Sequence, residues 1–528
     1  MKILTAAEMT EVDRLSTERA GISSLTLMEN AGKSVSEFIA AVCKNFTEVP
    51  IVVFCGKGNN GGDGFVVARH LQKLGADVTV CLFAKADELK GDAAKNFKRL
   101  KNIEIIPVED TGTWERPAWR EGAGASPIVV DALLGTGIRG AVTGGLRLVI
   151  EAINESPPGV TVFSIDIPSG LDSDTGEVHG AAVRADYTIT FTAPKSGMFL
   201  GEAPRHIGSL IVREIGSPPE LIEEIGKGNL RWSEAREFAA FGKRRRAEAN
   251  KGDYGHVLVV AGSVGKSGAA ILSSWAALRT GAGLVTAAVP APVLPIVAGH
   301  TPEIMTEPLA TTTNGSLAMK DLESGRLEAI LTGKRALAIG PGLGTQEETQ
   351  RFIRGVVGRR SVPVILDADG LNAFDGFAKD LNREEGKLAM TPHPGEMARL
   401  LDATVKDVQA RRIDIASAAA TEWNAIVILK GHHTIVAAPD GGAWINSTGN
   451  PGMATGGTGD VLTGILAGLT AQYGLSDWWR MLAFGVWLHG LAGDIASADY
   501  GEAPLMASDL IHALPRALLQ FRSELERV

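Results

Sequence analysis

The sequence predicts an α/β protein built from two three-layer α/β/α domains. Three observations predict it. The chain has 528 residues, more than one ordinary core holds, so two or three domains are expected. Short apolar strands alternate with helices, which implies a mostly parallel sheet with helices on both faces. The 63 glycines and only 5% aromatics favour small-residue turns and tight helix–sheet packing.

Residues 5–43 carry apolar positions at helical spacing with few breakers and read as helix. Ile51-Val52-Val53-Phe54-Cys55 is a short apolar strand, followed by a glycine loop and a helix from about Gly64 to Leu74. Further strands are expected over 78–83, 127–131, 161–166 and 187–191. Between about Ser217 and Gly255 the rhythm breaks into a stretch bearing proline, glycine and charge. The expected division is a first domain over 1–216, a linker over 217–240 and a second domain over 241–528. The rhythm restarts at His256–Gly262, with strands expected over 336–340, 362–367 and 425–430.

Charge and composition exclude several classes. The net charge of −9 offers no global field for nucleic acid or an anionic membrane. The one basic run, Lys243-Arg244-Arg245-Arg246, reads as a solvated linker. Cys43, Cys55 and Cys81 fit no zinc or disulfide spacing. No signal peptide is visible, and no apolar run reaches the ~18 residues of a membrane span. A cytoplasmic protein is expected.

Two glycine-rich loops with acidic ends carry the chemistry. The first is Gly56-Lys57-Gly58-Asn59-Asn60-Gly61-Gly62-Asp63-Gly64. The second is Gly452-Met453-Ala454-Thr455-Gly456-Gly457-Thr458-Gly459-Asp460. Each lies where a strand or loop feeds a helix, so backbone N–H groups can face an anion. Catalytic groups should gather at the carboxyl ends of strands, and Asn59, Asp63, Asp131 and Asp166 all fall there. Asp131-Ala-Leu-Leu-Gly135-Thr136-Gly137 and Asp166-Ile-Pro-Ser169-Gly-Leu-Asp172 are two more polar strand-end turns. A strand-end carboxylate can be partly desolvated, so Asp166 is the expected acid/base group.

These motifs, with Ala193-Pro194-Lys195-Ser196-Gly197, closely resemble the NAD(P)H-hydrate epimerase family over nearly all of residues 1–215. The resemblance implies a Rossmann-like domain and interconversion of the R and S forms of a hydrated nicotinamide ring. It implies potassium near the site, at Asn60, Asp131 and Ser169. It implies substrate contacts at Asn59, Asn60, Gly61, Gly62 and Asp63, at Gly135, Thr136, Gly137, Ile138, Arg139, Gly140 and Ala141, and at Asp166. Lys195 is a second catalytic candidate, with a plain surface lysine as the alternative.

In the second half, Gly262-Ser263-Val264-Gly265-Lys266-Ser267-Gly268 is not a P-loop, because Val260 stands where the motif needs glycine. The loop ending at Asp460 is the better phosphate site, with a helix expected over Val461–Gly468. It pairs a general base with an anion hole, the equipment for phosphorylating an alcohol. It resembles the ribokinase-like superfamily. Gly340-Pro341-Gly342-Leu343-Gly344, Asp367-Ala-Asp369-Gly-Leu-Asn372, Thr391-Pro-His393-Pro-Gly-Glu396 and Leu429-Lys430-Gly431 narrow the resemblance to the ADP- or ATP-dependent NAD(P)H-hydrate dehydratases, over roughly 240–520. Many relatives carry histidine where Asn250 stands.

The resemblance implies nucleotide contacts at Lys430, Gly431, His432, His433, Thr434 and Gly459. It implies substrate contacts at Ala270, Gly342, His393 and Asp460, and Mg²⁺ held with the nucleotide. Glu396 reads equally as an indirect holder of that metal or as a helix-start carboxylate. Phosphorylating the ring hydroxyl would convert a poor leaving group into phosphate, and elimination would restore the double bond. The expected protein is therefore a bifunctional repair enzyme for hydrated NADH and NADPH, assembled as a homo-oligomer. By resemblance the fused architecture points to ADP as the nucleotide, with AMP and phosphate released. Two alternatives stay open at this point: a vitamin or sugar kinase with an appended domain, and a first domain that is only a binding scaffold.

Overall fold

In the computed structural model, which describes residues 1–108, 127–382 and 387–526, the α/β rhythm folds into two units, Met1–Gly228 and Asn229–Val528. In the first unit the described strands are β1 (Ile51–Cys55), β2 (Val78–Leu82), β3 (Glu104–Pro107), β4 (Ile128–Ala132), β5 (Thr161–Ile165), β6 (Tyr187–Phe191) and β7 (Ser209–Arg213). Their order is β3-β2-β1-β4-β5-β6-β7, and every pairing is parallel. Central β1 is buried along its whole length, as a strand covered on both faces must be. The strand order reverses between β1 and β4. That reversal opens a crevice at the carboxyl ends, where ligands bind in open α/β sheets.

The segment 5–43 is two helices rather than one: α1 (Ala6–Glu18) and α2 (Ser24–Val42). Gly21 at φ +70° turns the chain between them, and the Ser23 hydroxyl caps α2 by accepting from the Thr26 N–H at 3.1 Å. The next helix, α3 (Asn59–Lys73), starts five residues before the expected Gly64. The Asn-Asn-Gly-Gly-Asp run is thus helix, not loop. Close packing explains its glycines: a Cβ on Gly61 would sit 1.9 Å from the Gly56 carbonyl oxygen, and one on Gly62 would meet Met28 at 2.8 Å.

In the second unit the described strands are β8 (Leu230–Trp232), β9 (His256–Val260), β10 (Leu284–Pro290), β11 (Met305–Leu309), β12 (Ala336–Ile339), β13 (Val364–Leu366), β14 (Leu388–Met390), β15 (Ile426–Leu429), β16 (Ile435–Ala437) and β17 (Ala443–Ile445). The order is β11-β10-β9-β12-β13-β14-β15-β16-β17-β8, with a reversal between β9 and β12. Only the β15–β16 and β16–β17 pairings among these are antiparallel.

The residues expected to form a linker, 217–240, carry structure in both units. Pro219–Ile225 is a helix in the first unit. β8 pairs with β17 in the second, and Phe238 is fully buried in the second core. The helix Trp478–Tyr500 is long and apolar enough to cross a membrane by length and composition, which corrects the sequence expectation. It is a core helix here, with Phe484 and Leu488 fully buried. Within the basic run, the Arg245 guanidinium stacks on the Tyr254 ring at 3.8 Å.

Candidate active sites

The first site grows from the loops after β1 and β4. They meet backbone to backbone, because a Cβ on Gly56 would lie 1.9 Å from the Leu133 carbonyl oxygen. α3 then begins with no side-chain cap, leaving the first-turn N–H groups available. Asn60 donates through Nδ2 to the Leu134 carbonyl at 2.8 Å. Its buried Oδ1 has no partner. Ser169 Oγ lies 3.1 Å from the same Leu134 carbonyl and accepts from the Leu134 N–H at 2.8 Å.

Asp131, at the end of β4, is fully buried. It accepts from Ser164 Oγ at 2.8 Å, from the Ser169 N–H at 2.9 Å and from Ser169 Oγ. Burial still raises its pKa. Asn60 and Ser169 therefore meet at the Leu134 carbonyl, with Asp131 bonded to Ser169 behind them; sequence reading passed over that carbonyl because any residue supplies one. The orphaned Asn60 oxygen and its neighbouring oxygens are a donor set suited to a hard cation.

Asp166 follows β5 with φ +63°, a conformation unusual outside glycine. Its N–H donates to the Ile189 carbonyl at 2.7 Å, which holds that turn. Lys195, only 1% exposed, forms an ion pair with Asp166 Oδ1. Lys195 also donates to Thr190 Oγ1 at 2.7 Å and to the Phe191 carbonyl at 3.3 Å. Thr190 Oγ1 in turn donates to Asp166 at 3.0 Å. So Lys195 is not a surface lysine. Asp63 lies half-buried on α3, and burial followed by the charges of Asp166 and Asp13 pushes its pKa well above the usual carboxylate range. Asn59, Gly137, Arg139, Gly140 and Ala141 are exposed, while Gly135, Thr136 and Ile138 are half-buried.

The second site gathers the ends of β9, β12, β13 and β15 around one buried ion pair. Lys430 Nζ donates to Asp367 Oδ1 at 2.8 Å and lies 3.8 Å from Glu396 Oε2. Burial disfavours its charge, but Asp367 and Glu396 outweigh that and the Lys430 pKa is raised. Thr463 donates to Asp367 Oδ2 at 2.8 Å. Asp367 and Thr463 were not among the expected site residues. The Asp-Ala-Asp motif contained the signal for Asp367, and only the fold brings Thr463 to it.

The helix expected from Val461 begins three residues earlier, as Thr458–Tyr473, with Gly457 before it at φ +92°. Gly459 and Asp460 are thereby in its first turn. A Cβ on Gly459 would lie 3.4 Å from Lys430 Nζ, so bare backbone faces the ion pair. The Asp460 pKa is pushed to about 7 by burial and then by Asp367, with Lys430 opposing. A helix N-terminus favours a carboxylate by up to about 2 kcal/mol. Desolvation wins here.

His393 caps the helix Pro394–Leu400. Its Nδ1 accepts from the Gly395 and Glu396 N–H groups at 3.0 and 3.3 Å, and burial lowers its pKa. A neutral ring accepting at Nδ1 carries its proton on Nε2. Glu396 Oε2 accepts from the His393 N–H at 2.8 Å, so it serves a helix start. Gly342, at φ +64°, approaches Ala269 and Lys266, and its carbonyl accepts from Ser263 at 2.7 Å. Ala270 is buried beneath Gly262.

The expected nucleotide residues follow β15. Gly431 turns at φ +137° against Arg412. The His432 and His433 rings lie 3.9 Å apart, and Thr434 Oγ1 donates to the Gly431 carbonyl at 2.9 Å. Asn250 accepts from the Gly252 N–H at 2.8 Å within an exposed turn.

A family model described as NAD(P)H-hydrate dehydratase matches residues 257–516. One described as YjeF-related protein N-terminus matches residues 24–197. The bifunctional NAD(P)H-hydrate repair enzyme of Moorella thermoacetica is 42% identical over 529 residues, covering 100% of this chain and 98% of the relative. The chain belongs to the bifunctional NAD(P)H-hydrate repair enzymes. Another member of that family, from Thermofilum pendens, is 40% identical, with 100% of this chain and 98% of the relative covered. Among solved structures, the ADP/ATP-dependent NAD(P)H-hydrate dehydratase of Bacillus subtilis, co-crystallised with ATP and Mg²⁺, is 32% identical. It covers 53% of this chain and 94% of that chain, with a TM-score of 0.45. Full-length relatives among the repair enzymes argue against a vitamin or sugar kinase with an appended domain.

Proposed function

We propose that this repair enzyme works through two chemically distinct sites on hydrated NADH and NADPH. The first unit interconverts the R and S hydrates. The second removes water from the S form at the expense of ADP or ATP. The observation that carries this reading is Asp460: a carboxylate titrating at about 7, in the first turn of a helix, beside the Lys430–Asp367 pair.

In the second site, Asp460 takes the proton of the ring hydroxyl while that oxygen bonds to the terminal phosphoryl group. The bond from that phosphorus to the nucleotide breaks, leaving AMP when ADP is used. The ring C–O bond then breaks, phosphate departs, the neighbouring carbon loses a proton and the double bond returns. The first-turn amides at Gly459 and Asp460 hold the developing charge. Lys430 to Thr434 hold the nucleotide. Gly342, His393 and Ala270 face the dinucleotide. Mg²⁺ held with the nucleotide would neutralise its phosphates.

In the first site, hydration of an enamine places the hydroxyl on the carbon beside the ring nitrogen. Epimerisation there needs a proton given to the hydroxyl and one taken from the returning water. Asp166 does this work, held by Lys195 and Thr190. The substrate lies along Asn59 to Asp63 and Gly135 to Ala141. Asn60, Asp131 and Ser169 would hold potassium, which would supply fixed positive charge there, and the unpartnered Asn60 Oδ1 suits it. A reducing cytoplasmic setting belongs to the same reading, in keeping with three free cysteines, as does a homo-oligomer, measurable by sedimentation.

The test is recovery of NADH absorbance from a mixed R and S hydrate with Mg²⁺ and either nucleotide. Full recovery, beyond the S fraction, is expected. Recovery that stops at the S fraction removes the assigned role of the first unit. No recovery with either nucleotide overturns the role of the second unit and returns it to a small-molecule kinase.

A further inference from the structure

The core helix Trp478–Tyr500 carries two titratable side chains in its apolar middle, residues 481–496: His489 and Asp494. Polar groups in such a place are costly unless hydrogen-bonded. Both are spent on the one segment that leads into the helix start at Thr458. Asp494 accepts from the Gly449 N–H through Oδ2 and from Asn450 Nδ2 through Oδ1, each at 2.9 Å. Asn450 Oδ1 in turn accepts from the Gly452 N–H at 3.1 Å. His489 Nε2 lies 3.0 Å from the Thr458 carbonyl. A carbonyl only accepts, so Nε2 carries a proton and donates it. Burial lowers the His489 pKa to about 4, which leaves the ring neutral with that one N–H.

The same stretch of helix lets the loop come close. A Cβ on Gly490 would overlap Thr448, and one on Gly493 would overlap Met453. Thr448 Oγ1 donates to the Trp487 carbonyl at 2.7 Å. Thr458 Oγ1 lies 3.0 Å from both the Met453 and the Thr455 carbonyl, which closes the loop on itself.

His489 thereby grips one particular peptide unit. The Thr458 carbonyl and the Gly459 N–H belong to a single planar amide. A donor on the carbonyl fixes the tilt of that amide and polarises its N–H, which strengthens the bond the N–H can give to an anion. Gly459 is in the first turn of Thr458–Tyr473, and its bare backbone faces Lys430 Nζ.

We propose that His489 is a positioning residue of the phosphoryl-transfer site: it aims and polarises the Gly459 amide from behind, while Asp494 seats the loop that precedes it. This inference rests on the first-turn amides receiving the charge of the transferring phosphoryl group. His489 acts through Thr458. Its effect grows with the charge on that group, so it falls on kcat more than on KM.

The test uses the full-length chain with S NADH hydrate, Mg²⁺ and ADP or ATP. His489→Leu removes the donor and should lower the dehydration kcat about 10- to 100-fold, with KM for both substrates within about threefold. His489→Gln places an amide N–H near the position of Nε2 and should restore kcat to within about fivefold of the parent. Epimerisation of the R hydrate should stay unchanged. Where His489→Leu does not fold, His489→Asn takes its place, since its amide is one methylene too short to reach Thr458 and should keep the low kcat. A parental kcat in the variant without the donor overturns the inference. So does a loss confined to KM, or a loss of rate that glutamine does not restore. Asp460→Asn, measured alongside, separates the two failures. If it is inactive while His489→Leu is normal, only the His489 role falls. If Asp460→Asn keeps full dehydration, the reading of the site at this helix start falls and the His489 role with it.

Discussion

The two candidate sites solve the same problem, a charged group at the carboxyl ends of parallel strands, in opposite ways. In the first unit the lysine is spent. Lys195 is buried and fully engaged by Asp166, Thr190 and Phe191. In the second, Lys430 is held by Asp367, and the backbone at Gly459 leaves space in front of it. Asp166 is locked by an ion pair, whereas Asp460 sits beside one and is desolvated. The first arrangement suits proton movement at a fixed point. The second keeps positive charge and bare N–H groups facing an incoming anion. The two aspartates thus differ in what the lysine beside each is already bound to.

The sharpest way to break this contrast is Asp460→Asn. Dehydration of pure S hydrate, read by NADH recovery, should fall about 10³-fold or more, while interconversion of the R and S hydrates, read by separating the two forms, stays intact. Asp166→Asn should show the mirror image, an epimerisation loss of about 10²- to 10⁴-fold with dehydration of S hydrate retained. Equal loss of both activities in either variant would end the two-site division.

The pH dependence sharpens the same comparison. A base titrating at about 7 makes the dehydration rate rise roughly tenfold per pH unit below neutrality and level off above it. Stability moves the other way. The folded-state pKa of Asp460 lies above the ordinary carboxylate value, so its contribution is present at acid pH and is lost as pH rises towards about 7. Asp460→Asn should therefore stabilise the second unit at pH 8, on the order of 1–4 kcal/mol. Thermal melting of the variant against the parent checks it, and a lower melting point would contradict the burial argument.

The start of α3 offers a contrast in stability alone. Gly61→Ala places a Cβ 1.9 Å from the Gly56 carbonyl oxygen, and should destabilise the first unit by about 3 kcal/mol or more. Gly58→Ala, three residues away and with nothing within 4 Å, should change stability by less than about 0.5 kcal/mol. Denaturant melts of the two variants decide whether close approach, rather than glycine content, shapes this turn.

Glycines also mark where sequence reading stopped. Gly61 and Gly62 look like a loop in one dimension, since glycine disfavours helix by about 1 kcal/mol. Close packing against Gly56, Met28 and Ala93 overrides that propensity and makes the run the first turns of α3. The stretch 217–240 looked like a linker because prolines, glycines and charges punctuate it. β8 finds its partner β17 only more than two hundred residues later in the chain, a pairing that no local pattern announces.

By itself, the sequence determined the two-domain α/β architecture, through buried apolar strands such as Ile51–Cys55 and Ile426–Leu429. It also placed polar groups at strand ends, because the alternation of strand and helix sends those ends to one edge of a parallel sheet. Only the tertiary structure decided what those groups touch. Lys195 looks like a solvated lysine until β6 and the N-terminal segment bury it against Asp166. Asp367 and Thr463 join the second site from distant parts of the chain. Burial and hydrogen bonding are properties of neighbours in space, and those neighbours set the protonation state of each carboxyl group.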